Sequence, residues 1–183
     1  RLTQIIQDHS QRMNRVIENV LQLSRRQQTV PQRLDLKPWL EQFVAQSREG
    51  AIDSQQIHLH IDSGEFNTLM DPNQLTQILD NLLRNAWRHS AQAHDQAQVW
   101  LDLFVDPGSQ LPIIEVRDDG PGVAPDQQGH LFEPFFTTSA QGTGLGLYLS
   151  RELCESNQAR LDFKPRHDGG CFRITFAHGR KQS

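Results

Sequence analysis

Residues 81–89 read NLLRNAWRH, and they belong to the stretch that decides the fold. Ten residues earlier, Asp71 and Pro72 form the N-cap and first-turn pair that opens a helix. Asn81 and Asn85 are four residues apart, so they share one helix face. Because Asn is a poor helix former, this pair indicates either a solvated helix surface or a site for a metal–phosphate group. Apolar residues at helical spacing give the predicted inner face, namely Leu75, Ile78, Leu79, Leu82, Leu83 and Ala86.

Two glycine-rich segments follow further along the chain. The first, DDGPGV over residues 118–123, comes directly after a predicted strand, where glycines allow a ligand to approach the backbone closely. An ordinary turn explains this segment equally well. The second, GTGLGL over 142–147, leads into a predicted helix whose first N–H groups would favour phosphate. It has neither the ending of a Walker loop nor the surrounding βαβ unit of a dinucleotide fold.

A fourth segment, LFEPFFTT over residues 131–138, places aromatic residues inside the irregular, glycine-rich stretch from 118 to 142. Long loops of this kind in compact domains usually carry function. The segment therefore predicts a lid.

Outside these segments, alternating and helical apolar patterns predict the remaining elements. Turns are expected at Asp106-Pro107-Gly108 and at Asp168-Gly169-Gly170. The pattern favours helices on one face of a mixed, largely antiparallel sheet. Strands are predicted at 34–36, 57–61, 66–70, 99–105, 113–116, 160–164 and 171–176, and further helices at 38–48 and 145–156.

The chain begins inside a heptad pattern that runs from residue 2 to residue 23 with alternating spacings of 4 and 3. Its apolar face is wider than that of a two-stranded coil and is typical of a helix bundle. Arg1 has no capping signal before it, so we expect the sequence to be cut from a longer one. A domain boundary is predicted near Pro31, which divides the chain into 1–30 and 31–183.

Composition limits the function classes. The chain has 183 residues, 36% hydrophobic and 22% charged, and a formal net charge of −4, which disfavours direct nucleic-acid binding. Cys154 and Cys171 form neither a disulfide framework nor a zinc motif. No apolar run approaches the roughly 20 residues that span a bilayer, so we expect no membrane contact by this chain.

Taken in order, the four segments resemble the N, G1, F and G2 boxes of the sensor histidine kinase catalytic domain, within the ATP-binding superfamily that includes gyrase B and Hsp90. The motifs span residues 81–147, and the flanking elements extend the resemblance from about 34 to 176. The resemblance implies an α+β fold, a two-layer α/β sandwich preceded by a long bundle helix. That helix is similar to the second helix of the dimerisation and phosphotransfer hairpin in nitrogen-regulator-type sensors, in particular pilin-gene sensors.

The resemblance also implies roles for single residues. Asp118 would read adenine, with Gly120 and Gly122 leaving room for the base. Asn85 would bind Mg²⁺, supported by Asn81, and Arg88 would neutralise phosphate charge. Asn81, Asn85 and Arg88 are thus the implied catalytic set, and Phe132, Phe135 and Phe136 would anchor the lid. The full set implied to bind ATP is Asn85, Arg88, His89, Asp118, Gly120, Gly122, Phe132, Phe135, Phe136, Thr137, Thr138, Gly142, Thr143, Gly144, Leu145, Gly146 and Leu147.

Asn81 separates two enzyme classes within this superfamily. Gyrase and Hsp90 relatives have a water-activating Glu at that position, and an amide has no basicity to offer. Direct hydrolysis of ATP is therefore expected to be slow. The sequence departs from the family pattern at His89, where Tyr is common, and at Ser139-Ala140, where a Lys often stands.

None of the eight histidines fits a phosphoacceptor, because His9, the histidine of the opening helix, occupies the heptad seam and is followed by Ser10. We expect the acceptor to lie upstream of Arg1, in a homodimer of phosphotransfer helices, within the cytoplasmic portion of an inner-membrane sensor. The implied partner is a response regulator with an acceptor Asp, such as a sigma-54-dependent activator. Two alternatives remain: a module that only holds nucleotide and acts through helix pairing, and an ATPase or chaperone-type member of the superfamily.

Overall fold

The computed structural model describes residues 29–49, 55–139 and 142–177. The predicted opening helix, with His9, lies outside these residues. Within the described part, the elements are β1 Gln32–Asp35, α1 Leu36–Glu49, β2 Gln55–Ile61, β3 Asn67–Met70, α2 Pro72–Ala93, β4 Ala97–Val105, β5 Pro112–Asp118, α3 Pro125–Gln128, α4 Gly146–Ser156, β6 Arg160–Phe163 and β7 Cys171–Thr175.

Five strands form the main sheet in the order β2-β4-β5-β7-β6. The β2–β4 pair is parallel, with Ile57 opposite Val99, and the other three pairs are antiparallel. β1 and β3 form a separate antiparallel pair. The predicted mixed, largely antiparallel sheet is therefore confirmed.

One face of this sheet is covered by helices. Along β4 the burial alternates, so that Val99 and Leu101 are fully buried while Trp100 is partly exposed. The buried side chains share one core with residues of α1, α2 and α4, such as Leu40 and Leu79. Burial of an apolar side chain stabilises a fold by about 1.5–3 kcal/mol, so this shared core holds the two layers together.

Helix α2 begins where the sequence predicts it. The Asp71 side chain accepts hydrogen bonds from the backbone N–H groups of Asn73 and Gln74, and Pro72 occupies the first turn. The predicted inner residues are at most 3% exposed. Helix α2 therefore carries one buried apolar face and one polar face along its length.

Helix α1 starts two residues earlier than predicted. Asp35 Oδ1 accepts a hydrogen bond from the backbone N–H of Lys37 at 3.1 Å, which places Asp35 at the helix start. Leu36 is consequently helical rather than part of the predicted 34–36 strand, and its side chain is fully buried. Over the described residues, no helix is both long enough and apolar enough to cross a membrane.

Candidate functional site

A cavity of about 450 Å³ opens beside α2 and α4, next to the irregular segment that joins β5 to α4. Its lining includes most of the residues singled out in the sequence, namely Asn81, Asn85, Arg88, His89, Asp118, Gly122, Phe136, Thr137, Thr138, Gly142, Thr143, Gly144, Gly146 and Leu147. Four others, Gly120, Phe132, Phe135 and Leu145, are not among the lining residues. Segments more than 50 residues apart in sequence thus meet around one space.

Asp118, the last residue of β5, lies at one end of the cavity and is 5% exposed. Its Oδ1 accepts hydrogen bonds from the backbone N–H groups of Gly120, at 2.9 Å, and Gly170, at 3.2 Å. Burial raises the pKa of this carboxyl above its usual 3.8, and the two N–H groups oppose that shift. Because both hydrogen bonds go to Oδ1, Oδ2 is the oxygen that can accept a hydrogen bond from a ligand.

Gly120 and Gly170 allow the chain to pass close to this carboxylate. A Cβ at Gly120 would lie 2.6 Å from the carbonyl oxygen of His89, and one at Gly170 would lie 2.7 Å from Asp118 Oδ2. Gly120 therefore fixes the backbone around the site without lining the cavity. The glycine pair 169–170 was predicted only as a turn, and its contact with Asp118 is a site feature that the sequence did not reveal.

The two asparagines of α2 have different environments. Asn81 Nδ2 donates to Ser150 Oγ at 2.8 Å, and a Cβ at Gly146 would lie 2.4 Å from Asn81 Oδ1. The start of α4 is therefore held tightly against α2. Asn85 Oδ1 accepts a hydrogen bond from Arg88 Nη2 at 2.8 Å, so these two side chains lie together on the cavity wall.

The three phenylalanines of the lid segment do not act alike. Phe132 packs edge-on against Phe172 with ring centroids 6.3 Å apart, and the Arg151 guanidinium lies 5.3 Å from its ring centre. Phe136 lines the cavity and contacts the His130 ring. Phe135 is 69% exposed, so the expectation that it anchors the lid is wrong.

Backbone contacts explain why Phe135 points outward. It has a φ of +68°, and its N–H donates to the carbonyl of Gly144 at 2.8 Å. Gly144 has a φ of +69°, and a Cβ there would lie 2.3 Å from the carbonyl carbon of Phe135. The lid segment is thus joined through its backbone to the glycine-rich segment 142–147, and of the two residues with positive φ only Gly144 adopts this conformation without strain.

A polar network missed in the sequence joins the end of α2 to the loop after Asp118. The buried Ser90 hydroxyl donates to Asp119 Oδ1 and accepts a hydrogen bond from the Gln98 backbone N–H. His94 Nε2 lies 3.3 Å from Asp119 Oδ2. Polar residues such as Ser90 are usually exposed, so periodicity gives no signal for a network of this kind.

The cavity wall carries charge of both signs. Arg84 and Arg88 line it from α2, and Asp118 is the carboxylate among its described lining residues. Burial, followed by the neighbouring Arg88 charge, lowers the pKa of His89 below its usual 6.5 and so favours the neutral ring. An anion would be attracted to the arginine end and a hydrogen-bond donor to the Asp118 end.

The donor set also bears on metal binding. No group of three or more His, Cys, Asp or Glu side chains that could hold a metal was found among the described residues. The α2 wall of the cavity offers the amide oxygens of Asn81 and Asn85 as ligands. This fits Mg²⁺ held by one or two protein oxygens together with substrate phosphates and water, and it does not fit a metal cage built by the protein alone.

The chain belongs to the family of histidine kinase-, DNA gyrase B- and HSP90-like ATPases, whose model matches residues 70–180. Within this family it is similar to sensor histidine kinases. The sensor protein kinase PilS of Pseudomonas aeruginosa is 63% identical over 184 residues, which cover 100% of this chain and 35% of PilS. The sensory histidine kinase/phosphatase NtrB of Rhodobacter capsulatus is 30% identical over 185 residues, covering 95% of this chain and 51% of NtrB.

Solved structures agree with these relatives. Full-length ShkA, crystallised in complex with AMPPNP, matches with a TM-score of 0.75 and 25% identity, over 95% of this chain and 37% of ShkA. The chain accordingly contains the ATP-binding catalytic domain of a sensor histidine kinase, which confirms the resemblance and the α+β fold. It spans about a third of the length of PilS and about half of NtrB.

Proposed function

We propose that the cavity binds ATP with Mg²⁺ and that the whole protein transfers the γ-phosphoryl group to a histidine upstream of this chain. The observation that carries the proposal is that one cavity holds a buried carboxylate at one end and amides with arginines along α2. Asp118 Oδ2 would accept a hydrogen bond from the adenine amine. The two backbone N–H groups on Oδ1 orient this carboxylate before the base arrives.

Asn85 would supply the amide oxygen for Mg²⁺, and the ion would neutralise charge on the phosphate oxygens. Asn85 Oδ1 already faces a cation, the Arg88 guanidinium, so the same side chain and its neighbour can serve metal and phosphate together. Asn81 would act by holding the start of α4 in place through Ser150 and Gly146. The glycine-rich segment at 142–147 would then present its backbone to the triphosphate.

In the transfer step, the bond between the γ-phosphorus and the bridging oxygen breaks while a bond from a histidine ring nitrogen to that phosphorus forms, and ADP leaves. Positioning and charge stabilisation supply most of the catalysis in such reactions. The relay would continue to an aspartate of a response regulator, such as a sigma-54-dependent activator of the nitrogen-regulator type. We propose that residues 1–30 belong to the phosphotransfer hairpin of a homodimer and 31–183 to the catalytic domain of an inner-membrane sensor.

Binding of a non-hydrolysable ATP analogue to this chain, with and without Mg²⁺, tests the site. Asp118→Ala should weaken binding in both conditions, whereas Asn85→Ala should remove the Mg²⁺ dependence. Asn73→Ala, at an exposed position of α2, is the matched control and should bind like the unaltered chain. A folded chain that does not bind the analogue would contradict the proposal.

A second measurement distinguishes the kinase hypothesis from the alternative that the chain only holds nucleotide and acts through helix pairing. The chain is mixed with ATP and a separate phosphotransfer hairpin that carries an acceptor histidine, and acid-labile phosphate on the hairpin is followed. Transfer that is lost in Asn85→Ala supports the kinase. Binding without any transfer would favour the module that acts through helix pairing.

A further inference from the structure

Helix α2 presents two guanidinium groups to the cavity, one helical turn apart. Arg84 and Arg88 both line it, and they are the Arg or Lys residues among its described lining residues. The proposed function uses Arg88 and gives no role to Arg84. Because their spacing is four residues, the two side chains leave the same face of the helix.

Arg84 lines the cavity and is also hydrogen-bonded to its own helix. Its Nε donates to the backbone carbonyl of Asp80 at 3.2 Å, one turn back along the same helix. This hydrogen bond goes to the backbone and not to the Asp80 carboxylate, whose pKa is raised by burial more than the Arg84 charge lowers it. The terminal nitrogens of Arg84 can therefore donate to an anion that enters the cavity.

The two arginines stand at different distances from the end of the cavity that holds Asp118. That end lies beside His89, because a Cβ at Gly120, two residues after Asp118, would lie 2.6 Å from the His89 carbonyl oxygen. Along the axis of α2, Arg88 is about 1.5 Å from His89 and Arg84 about 7.5 Å from it, at 1.5 Å per residue. Arg84 is thus about 6 Å farther from the base end.

Along α2, Arg84 lies nearer than Arg88 to the start of α4. Asn81, three residues beyond Arg84, contacts Ser150 in α4 and closely approaches Gly146, the first residue of that helix. A ligand whose base sits on Asp118 would therefore extend its phosphates past Arg88 first and Arg84 second. The first N–H groups of α4 add positive potential at the same end.

We propose that Arg84 recognises the terminal phosphate of ATP and thereby sets the preference of this site for a triphosphate over a diphosphate. This inference rests on the proposed function. Arg88, nearer the base end, serves phosphates that ATP and ADP share. After transfer of the γ-phosphoryl group Arg84 loses its anion, and ADP is then released more readily than ATP.

Calorimetric titration of the chain with Mg²⁺ and either a non-hydrolysable ATP analogue or ADP tests this assignment. Arg84→Gln should weaken binding of the analogue about fivefold, the upper range for an exposed ion pair, and binding of ADP less than about twofold. Arg84→Lys keeps the charge and should restore part of the selectivity. Arg160→Gln is the control, since Arg160 lies on β6 with a 77% exposed side chain outside the cavity.

Equal losses for the two nucleotides, or no loss for either, would overturn the role of Arg84. Thermal unfolding of each variant separates a folding defect from a binding defect. If Arg84→Gln does not fold, the nucleotide selectivity of Arg84→Lys is compared with that of the unaltered chain instead. Should the unaltered chain bind neither nucleotide, the proposed function fails together with this inference. If it binds both and Arg84→Gln leaves their ratio unchanged, this inference alone fails.

Discussion

Asn157, just after α4, donates a hydrogen bond from Nδ2 to Oε1 of Gln74 in α2 at 2.6 Å, and both side chains are buried. Asn157 Oδ1 accepts from the Asp71 backbone N–H at 2.8 Å, and Asp71 Oδ2 accepts from the Val30 backbone N–H at 2.9 Å. These hydrogen bonds join the end of α4 to the start of α2 and to the segment at Val30, which precedes β1. Helix α4 is thus held against α2 along its length, since Gly146, its first residue, closely approaches Asn81 and Ser150, near its middle, is hydrogen-bonded to the same side chain.

Asn157→Ala should lower the free energy of unfolding by about 2 kcal/mol, because it leaves the Asp71 backbone N–H buried without its partner and leaves Gln74 Oε1 with the long 3.4 Å hydrogen bond from Thr29 Oγ1. Urea unfolding measures the change. Asn73→Ala, exposed on the first turn of α2, should stay within about 0.5 kcal/mol. Equal stability of the two variants would contradict the structural role of Asn157.

Gly170→Ala should weaken nucleotide binding, because its Cβ would lie 2.7 Å from Asp118 Oδ2, the oxygen assigned to the base. We expect a loss of about tenfold, equivalent to 1.4 kcal/mol. Gly129→Ala is the matched control, since a Cβ there meets no heavy atom within 4 Å. Titration of both variants with a non-hydrolysable ATP analogue gives the comparison. Unchanged affinity in Gly170→Ala would show that Asp118 Oδ2 does not contact the nucleotide.

Asp118→Asn should separate folding from recognition. The amide oxygen can still accept the two backbone hydrogen bonds, so the melting temperature should change little. The amide nitrogen then replaces the acceptor oxygen with a donor, and the affinity for adenine nucleotides should fall about tenfold or more. Asp126→Asn, exposed in α3, serves as the control in the same titration. Retained affinity in Asp118→Asn would show that the carboxylate does not read the base.

His89 should make the fold less stable in mild acid. Burial and Arg88 lower its pKa in the folded chain below 6.5, so the unfolded chain binds the proton more readily. The stability that neutral His89 contributes is fully present above pH 6.5, and it is lost as the pH falls from there to the pKa of His89 in the folded chain. The pKa of Asp118 is shifted in the opposite direction, and Asp118 is present in both proteins. The informative quantity is therefore the difference in the pH dependence of stability between the unaltered protein and His89→Gln. Melting temperatures at about pH 7.5 and 5.5 measure it, and the unaltered chain should lose more stability than the variant.

Steady hydrolysis of ATP by this chain should be far below about 1 s⁻¹, a usual enzyme turnover. Asn81 is an amide whose Nδ2 is bound to Ser150, and it cannot take a proton from water. Phosphate release in a coupled assay gives the rate. Turnover at or above that value would revive the ATPase alternative.

The sequence predicted the elements whose local signals are strong. Helix α2 follows from the Asp71-Pro72 start and its apolar spacing, and the burial of its inner face confirms both. Helix α1 was predicted two residues late, because alternation around Leu34 and Leu36 suits a strand, and the cap at Asp35 decides otherwise.

Features that depend on contacts distant in sequence could not be predicted in this way. Gly170 and Ser150 are ordinary turn and helix residues until the fold brings them to Asp118 and Asn81. The resemblance implied that Phe135 anchors the lid, yet its side chain is exposed and its backbone N–H is bonded to Gly144. The burial of polar side chains such as Gln74 was also not predicted, because a polar residue in a sequence normally indicates an exposed position.

The hydrogen bond between Gly170 and Asp118 joins residues 52 positions apart in sequence. A ribosome therefore releases Asp118, and all of α2, well before the residue that orients the carboxylate has been made. A ligand that binds the oriented carboxylate cannot assist folding before the β6–β7 hairpin has been made, because Gly170 lies between these two strands. The core of the domain must therefore form without this contact, and the Asp118 carboxylate is fully oriented only once Gly170 has joined the fold.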